Sequence, residues 1–99
     1  MRIITRAALR DFWEKHPESE QGLKTWFQVA KSTNWDSPDD IRQLYPNSKL
    51  SFLRNNRVIF GINGNKYRLV IKVEYPKRLI FIRFVGTHAE YDKINANHI

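Results

Sequence analysis

The sequence predicts an α+β domain: two N-terminal helices packed on a three- to five-stranded, mainly antiparallel sheet, closed by a short C-terminal helix. Three observations carry that expectation. Apolar residues recur at helical spacing early in the chain, the period changes to two after Lys49, and "THAE" after the last apolar run has the form of a helix capping box. No repeat, low-complexity tract or linker-like run divides the 99 residues, so 1–99 is expected to be one domain with one core.

The elements follow in order. "RIIT" opens as a short strand, and Thr5 is expected to cap a helix whose positions Leu9, Phe12, Trp13 and His16 follow helical spacing. Pro17 ends that helix, because proline cannot donate to the preceding turn. A second helix starts near Ser19 and places Leu23, Trp26, Phe27 and Ala30 at i, i+3, i+4 and i+7. Aromatics at that spacing read as core rather than as stacking platforms for bases. "SPDDIRQLYP" carries its own punctuation: Ser37 as cap, Pro38 at the first helical position, Asp39 and Asp40 in the first turn, and Pro46 beyond the end.

From Lys49 the chain reads as strands. In "RVIFGINGNKYRLVIKVEY", Asn63-Gly64 between two β-branched and aromatic runs calls for a tight hairpin, since both residues tolerate positive φ. Asn55-Asn56 is a second turn of the same kind, and "PKR" at 76–78 leads into the strand "LIFIRFV". Alternation assigns the faces: Tyr67, Leu69, Ile71, Val73 and Tyr75 point to the core, while Lys66, Arg68, Val70, Lys72 and Glu74 point away. The helices are expected to cover the first face and leave the second open to a ligand. The last strand is apolar on both sides except for Arg83, which makes it central in the sheet, with an unexplained charge.

Charge narrows the partner. The net charge is +7, and residues 1–48 balance seven Lys/Arg against seven Asp/Glu, whereas 49–99 hold ten against three. Between Lys49 and Gly86 the one acid is Glu74, so a contiguous cationic surface suited to a polyanion is expected. With no cysteine there are no disulfides or thiolate metal sites, in keeping with a reducing compartment. No run is long enough to span a bilayer and no signal peptide is evident, so the expectation is a cytoplasmic protein with no membrane partner.

The strand "IRFV" meets Gly86 and then "THAEYDKI". Thr87 and Glu90 fit the capping box, which makes Glu90 structural and starts a final helix at His88. His88 and Tyr91 stand three apart, on one side of its first turn. Asp92 either orients the imidazole or faces water, and Gly86 lets the chain bend with no side chain in the way. The set suits RNA cleavage without a metal: the 2′-hydroxyl must lose a proton, the 5′-oxygen must gain one, and the phosphorane charge must be stabilised. His88 is suited to either proton transfer, and Arg68, Arg83 and Lys72 to the charge. His16 and His98, the latter in a tail expected to fray, carry no functional expectation.

These residues carry a resemblance. The element order, the "NRVIFGINGNKYRLVIKV" hairpin and the closing "RFVGTHAEYDKI" resemble the HigB toxins, a branch of the RelE-like superfamily of messenger-RNA interferases from bacterial toxin–antitoxin systems. The similarity runs from "IITRAALRDF" to "EYDKI". It implies a RelE-like fold, an endoribonuclease that cuts messenger RNA in the ribosomal decoding site without metal or other cofactor and leaves a cyclic phosphate, and a HigA-like antitoxin that also binds operator DNA. By position it implies that Arg68 contacts the scissile phosphate and that His88 and Tyr91 complete the site, with Arg83 at a position that varies in the superfamily. Lys72, Lys66 and Arg57 are then expected to bind the RNA backbone. The lysine pair or glutamate that serves as base in many relatives has no assigned counterpart, so His88 stands as either acid or base. The competing readings are a non-catalytic nucleic-acid-binding module and an inactive homologue confined to an antitoxin-bound repressor.

Overall fold

The computed structural model describes residues 1–99. Strand β1 (Arg2–Ile4) leads into helix α1 (Ala7–Lys15), a 3₁₀ turn at Pro17–Ser19, α2 (Glu20–Ser32), the short α3 (Pro38–Arg42) and a second 3₁₀ turn at Asn47–Lys49. Strands β2 (Leu50–Phe52), β3 (Arg57–Ile62), β4 (Tyr67–Glu74) and β5 (Leu79–Thr87) follow, then α4 (His88–Tyr91). The sheet order is β1-β5-β4-β3-β2, so β4 is central and β5, expected at the centre, lies one place out because β1 alone flanks it on that side. β2 to β5 form an antiparallel meander, and β1 adds parallel to β5 along Leu79–Phe81 alone.

The helical stripes form as their spacing requires. Leu9 and Phe12 of α1 join Leu23, Trp26 and Ala30 of α2 over Val58, Phe60, Leu69, Ile71, Val73 and Ile80. Trp35 and Ile41 close one end of that core. Asp40 punctuates α3 by accepting from the amides of Asp36 at 2.8 Å and Ser37 at 3.3 Å. Thr5 does not cap α1: the N-cap is Arg6, and Thr5 takes a positive φ of 71° with its carbonyl accepting from the Ala8 amide at 3.1 Å. Ser19 begins α2 as expected, but its hydroxyl points back and donates to the His16 carbonyl at 2.7 Å.

The asparagines set the turns. Asn55 and Asn56 both have positive φ between β2 and β3. In the β3–β4 turn, Lys66 N–H donates to the Asn63 carbonyl at 3.2 Å, so the central pair is Gly64-Asn65, one residue later than the Asn-Gly dipeptide suggests. Both have the positive φ that a type I′ turn needs.

Arg83 marks a β-bulge. Val70 pairs with Phe84 and Ile71 with Ile82, which leaves Arg83 as the extra residue of β5. The insertion resets the alternation: Ile82 and Val85 both pack on the helix-covered core, and Phe84 turns to the opposite face. A one-residue shift of this kind moves every later side chain across the sheet, which is why the strand reads as apolar on both sides.

That opposite face is not open along its length. Ile59, Val70 and Ala96 are buried there, with Leu53, Phe84, Tyr91, Ile94 and Ile99 packed around them. The expectation of a frayed tail is therefore corrected. Residues 94–99 dock on the sheet because Val70 offers an apolar seat in an otherwise polar row, and His98 N–H closes a turn on the Asn95 carbonyl at 3.0 Å.

Candidate functional site

One end of β4 and β5 stays uncovered, and the register builds it. Arg68 lies directly across from Gly86, one residue before the Thr87 cap. A Cβ on Gly86 would stand 2.5 Å from the Phe84 ring and 3.0 Å from Glu90 Oε1. Its φ is not in the left-handed region, so the glycine supplies room for the ring and the carboxylate rather than a bend.

The capping box forms as the sequence indicates. Thr87 Oγ1 accepts from the Glu90 amide at 3.1 Å, and Glu90 Oε1 accepts from the Thr87 amide at 2.8 Å. The bond from the Thr87 backbone holds the Glu90 carboxyl below the usual carboxylate range, which favours its charged, acceptor-only form. The His88 amide donates to the Lys66 carbonyl at 3.2 Å, tying α4 to the β3–β4 turn. His88 Nδ1 lies 3.2 Å from Asp92 Oδ2. With Asp92 ionised, Nδ1 carries the proton and donates, and Nε2 is the nitrogen left for a ligand. The imidazole is about half exposed, at 52%.

Tyr91 joins the two parts. Its ring is 6.5 Å from the His88 ring, 6.4 Å from the Phe84 ring, and 5.7 Å from the Arg68 guanidinium carbon. Arg68 Nε is buried with no hydrogen-bond partner. The structure thus brings Arg68, His88 and Tyr91 together at the rim, with Asp92 behind the histidine. Arg83 is placed differently: its guanidinium lies over the Phe81 ring at 5.2 Å and lines a cleft between α1 and β5.

The other three cations expected at the site, Lys72, Arg57 and Lys66, are engaged within the chain. Lys72 pairs with Glu74 at 3.3 Å, Arg57 Nε donates to the Ile99 carbonyl oxygen at 2.7 Å, and Lys66 pairs with Glu18 at 3.4 Å. Hydrogen bonding to Glu18 raises the Lys66 ammonium, so it stays charged. Surface ion pairs add little to stability, so the carboxylate partners of Lys66 and Lys72 exchange readily for another anion.

Two residues near the rim carried no signal in the sequence. Glu18 accepts from the Tyr67 hydroxyl as well as from Lys66, and its own carbonyl accepts from Asn63 Nδ2 at 2.6 Å. The Tyr67 bond is the main cause that lowers the Glu18 carboxyl to about 2. Burial, and then Glu18, push the Tyr67 phenol up. His16 stacks on Phe12 at 4.5 Å and lies 5.6 Å from the Tyr67 ring, in the same cleft as Arg83. Contacts 49 residues apart, such as Glu18 to Tyr67, leave no local periodicity to read.

Paired helices on a meander with a parallel edge strand, and a last helix that opens with histidine beside an arginine of the central strand, define the class of RelE-like toxins. Within it, the chain belongs to the HigB toxin family: residues 19–94 match that family, described as a RelE-like toxic component of a toxin–antitoxin system. A toxin of such a system implies a cognate antitoxin. Among curated proteins, the chain is similar to "mRNA interferase HigB" of Escherichia coli O6:H1, with 28% identity over 94 residues that cover 95% of this chain and 91% of the relative. It is also similar to "mRNA interferase toxin HigB" of Escherichia coli K12, with 29% identity over 98 residues covering 99% and 94%. The Shigella flexneri "mRNA interferase HigB" matches to the same extent. No helix is long and apolar enough to cross a membrane.

Proposed function

We propose that this chain, acting as one toxin domain over residues 1–99, is a ribosome-dependent, metal-independent messenger-RNA interferase. Arg68, Tyr91 and the His88–Asp92 pair, gathered at one rim of a cationic sheet, are the observation that carries the reading. The chemistry is transesterification. The 2′-oxygen loses its proton and bonds to phosphorus, the bond from phosphorus to the 5′-oxygen breaks, and that oxygen takes up a proton. The products are a cyclic phosphate and a free 5′-hydroxyl.

His88 Nε2 transfers a proton in this step, and Asp92 fixes the ring through Nδ1 and stabilises the imidazolium. Arg68 meets the phosphorane, its unpaired Nε gaining an acceptor there. Arg83 adds positive charge from the cleft side. Tyr91 stacks on an unpaired base or donates near the phosphate. Lys66, Lys72 and Arg57 hold flanking phosphates by exchanging their internal partners. The messenger is presented in the decoding site of the small ribosomal subunit, in the cytoplasm, and a HigA-like antitoxin that binds the operator restrains the toxin.

Induced expression tests the reading by primer extension on translated and untranslated messages. The intact protein gives new 5′ ends on translated messages, and His88→Ala and Arg68→Ala remove both these ends and growth arrest while the purified variants stay folded. Retained toxicity in both variants overturns the site. A binding module gives no new ends even with the intact protein.

A further inference from the structure

Strand β1 covers β5 only as far as Phe81, so β5 from Ile82 onward has no strand on that edge. α1 stands beside the free edge and leaves a cleft of about 440 Å³ lined by Asp11, Lys15, His16, Arg83, Phe84 and Glu90, among others. Asp11, Lys15 and Arg83 line this cleft without an ion pair or side-chain hydrogen bond to any other residue of the chain.

We propose that this cleft seats the base of the nucleotide next to the scissile phosphate, and that Asp11 and Lys15 determine which base is accepted. The inference rests on the nuclease reading and adds a specificity subsite to it. Charge selects the ligand. Asp11 and the ionised Glu90 offset Lys15 and Arg83, so the cleft has no excess positive charge to favour a bare phosphate, whereas a nucleobase presents donors and acceptors on one edge and suits a carboxylate beside an ammonium. Aromatic surface is present on both walls: His16, held flat against Phe12, and Phe84. The open backbone edge of β5 adds peptide donors and acceptors.

Continuity with the rim fixes which nucleotide is meant. Glu90 sits between His88 and Tyr91 in α4, and the Phe84 ring is 6.4 Å from that of Tyr91. An RNA strand with its phosphate at Arg68 thus has a neighbouring base beside the cleft mouth.

Two measurements on the intact chain test this. Asp11→Asn and Lys15→Ala lie on exposed α1 positions and are expected to keep the melting temperature of the parent. Mapped 5′ ends on translated messages should show that both variants still cut, with base discrimination at one fixed position relative to the cut relaxed on the order of 10-fold. An unchanged preference, or an equal fall in cutting at every site, overturns the subsite. Titration of the ¹⁵N-labelled protein with a 2′-O-methyl dinucleotide, which lacks the nucleophile, should shift the amides of 8–16 and 83–86. Shifts confined to 66–68 and 88–92 overturn the subsite and leave the nuclease reading standing. No shifts with the dinucleotide and no cleavage by the parent protein overturn both.

Discussion

Arg68 and Leu69 are adjacent in β4 and face opposite sides of the sheet. Leu69 is fully buried in the sixteen-residue core under the helices, while Arg68 is half-buried beside Tyr91 with an unpaired Nε. The opposite face has three buried residues and a short tail over its middle, and its rim carries histidine, tyrosine and cations. The contrast teaches where each kind of free energy resides. Apolar burial, roughly 25 cal/mol per Å², accumulates on the helix-covered side, and the rim keeps a buried guanidinium nitrogen, Arg68 Nε, with no partner in the chain.

Substitutions along this pair of faces break or sharpen the contrast. Leu69→Ala should lose about 3 kcal/mol in urea unfolding, since it opens a cavity among fully buried neighbours. Arg68→Ala should stay within about 1 kcal/mol of the parent, because a half-buried surface cation with an unpaired atom gives up little stability. Its cleavage rate should nevertheless fall about 100- to 1000-fold, the scale for removing one donor aimed at developing charge. If both variants unfolded alike, the division of labour between faces would fail.

Thr87→Ala lies on the boundary and should cost about 1 kcal/mol by removing the acceptor for the Glu90 amide. Because α4 presents His88 and Tyr91, cleavage by this variant should fall by more than its stability implies, measured at a temperature where it is fully folded.

The smallest expected effect is a pH dependence. The folded-state carboxyl of Glu18 is depressed from the ordinary 4.5 to about 2, so its ionised form stabilises the fold above pH 4.5 and that stabilisation is lost as pH falls through 2. Glu18→Gln should therefore lower the melting temperature slightly at neutral pH and flatten its decline between pH 4.5 and 2. A decline as steep as the parent's would show that the bond to Tyr67 does not bias folding.

Elements with local causes were legible in the residues. The Asn-rich turns, the capping box at Thr87, the α2 stripe and the alternation in β4 each depend on neighbours within a few positions, and all appear in the structure. The apposition of Arg68 with His88 and Tyr91 followed from one hairpin register and one helical turn, so it too was within reach. Thr5 was misread because a positive φ on threonine is uncommon and has no sequence marker. Long-range choices were hidden: the bulge at Arg83, the tail seated on Val70, and the Glu18–Tyr67 contact arise from distant partners. His16 illustrates the limit, since Pro17 explains why its helix stops there and nothing nearby says that Tyr67 and Arg83 share its surroundings.

The parallel pairing of β1 with β5 joins Arg2–Ile4 to Leu79–Phe81, far apart along the chain. At roughly 5–20 residues per second, a ribosome takes on the order of 4–15 s to add the 77 residues that separate Arg2 from its partner Leu79, and for that interval β1 has nothing to pair with. The proposed rim, built on β4, β5 and α4, forms only after β5 has emerged.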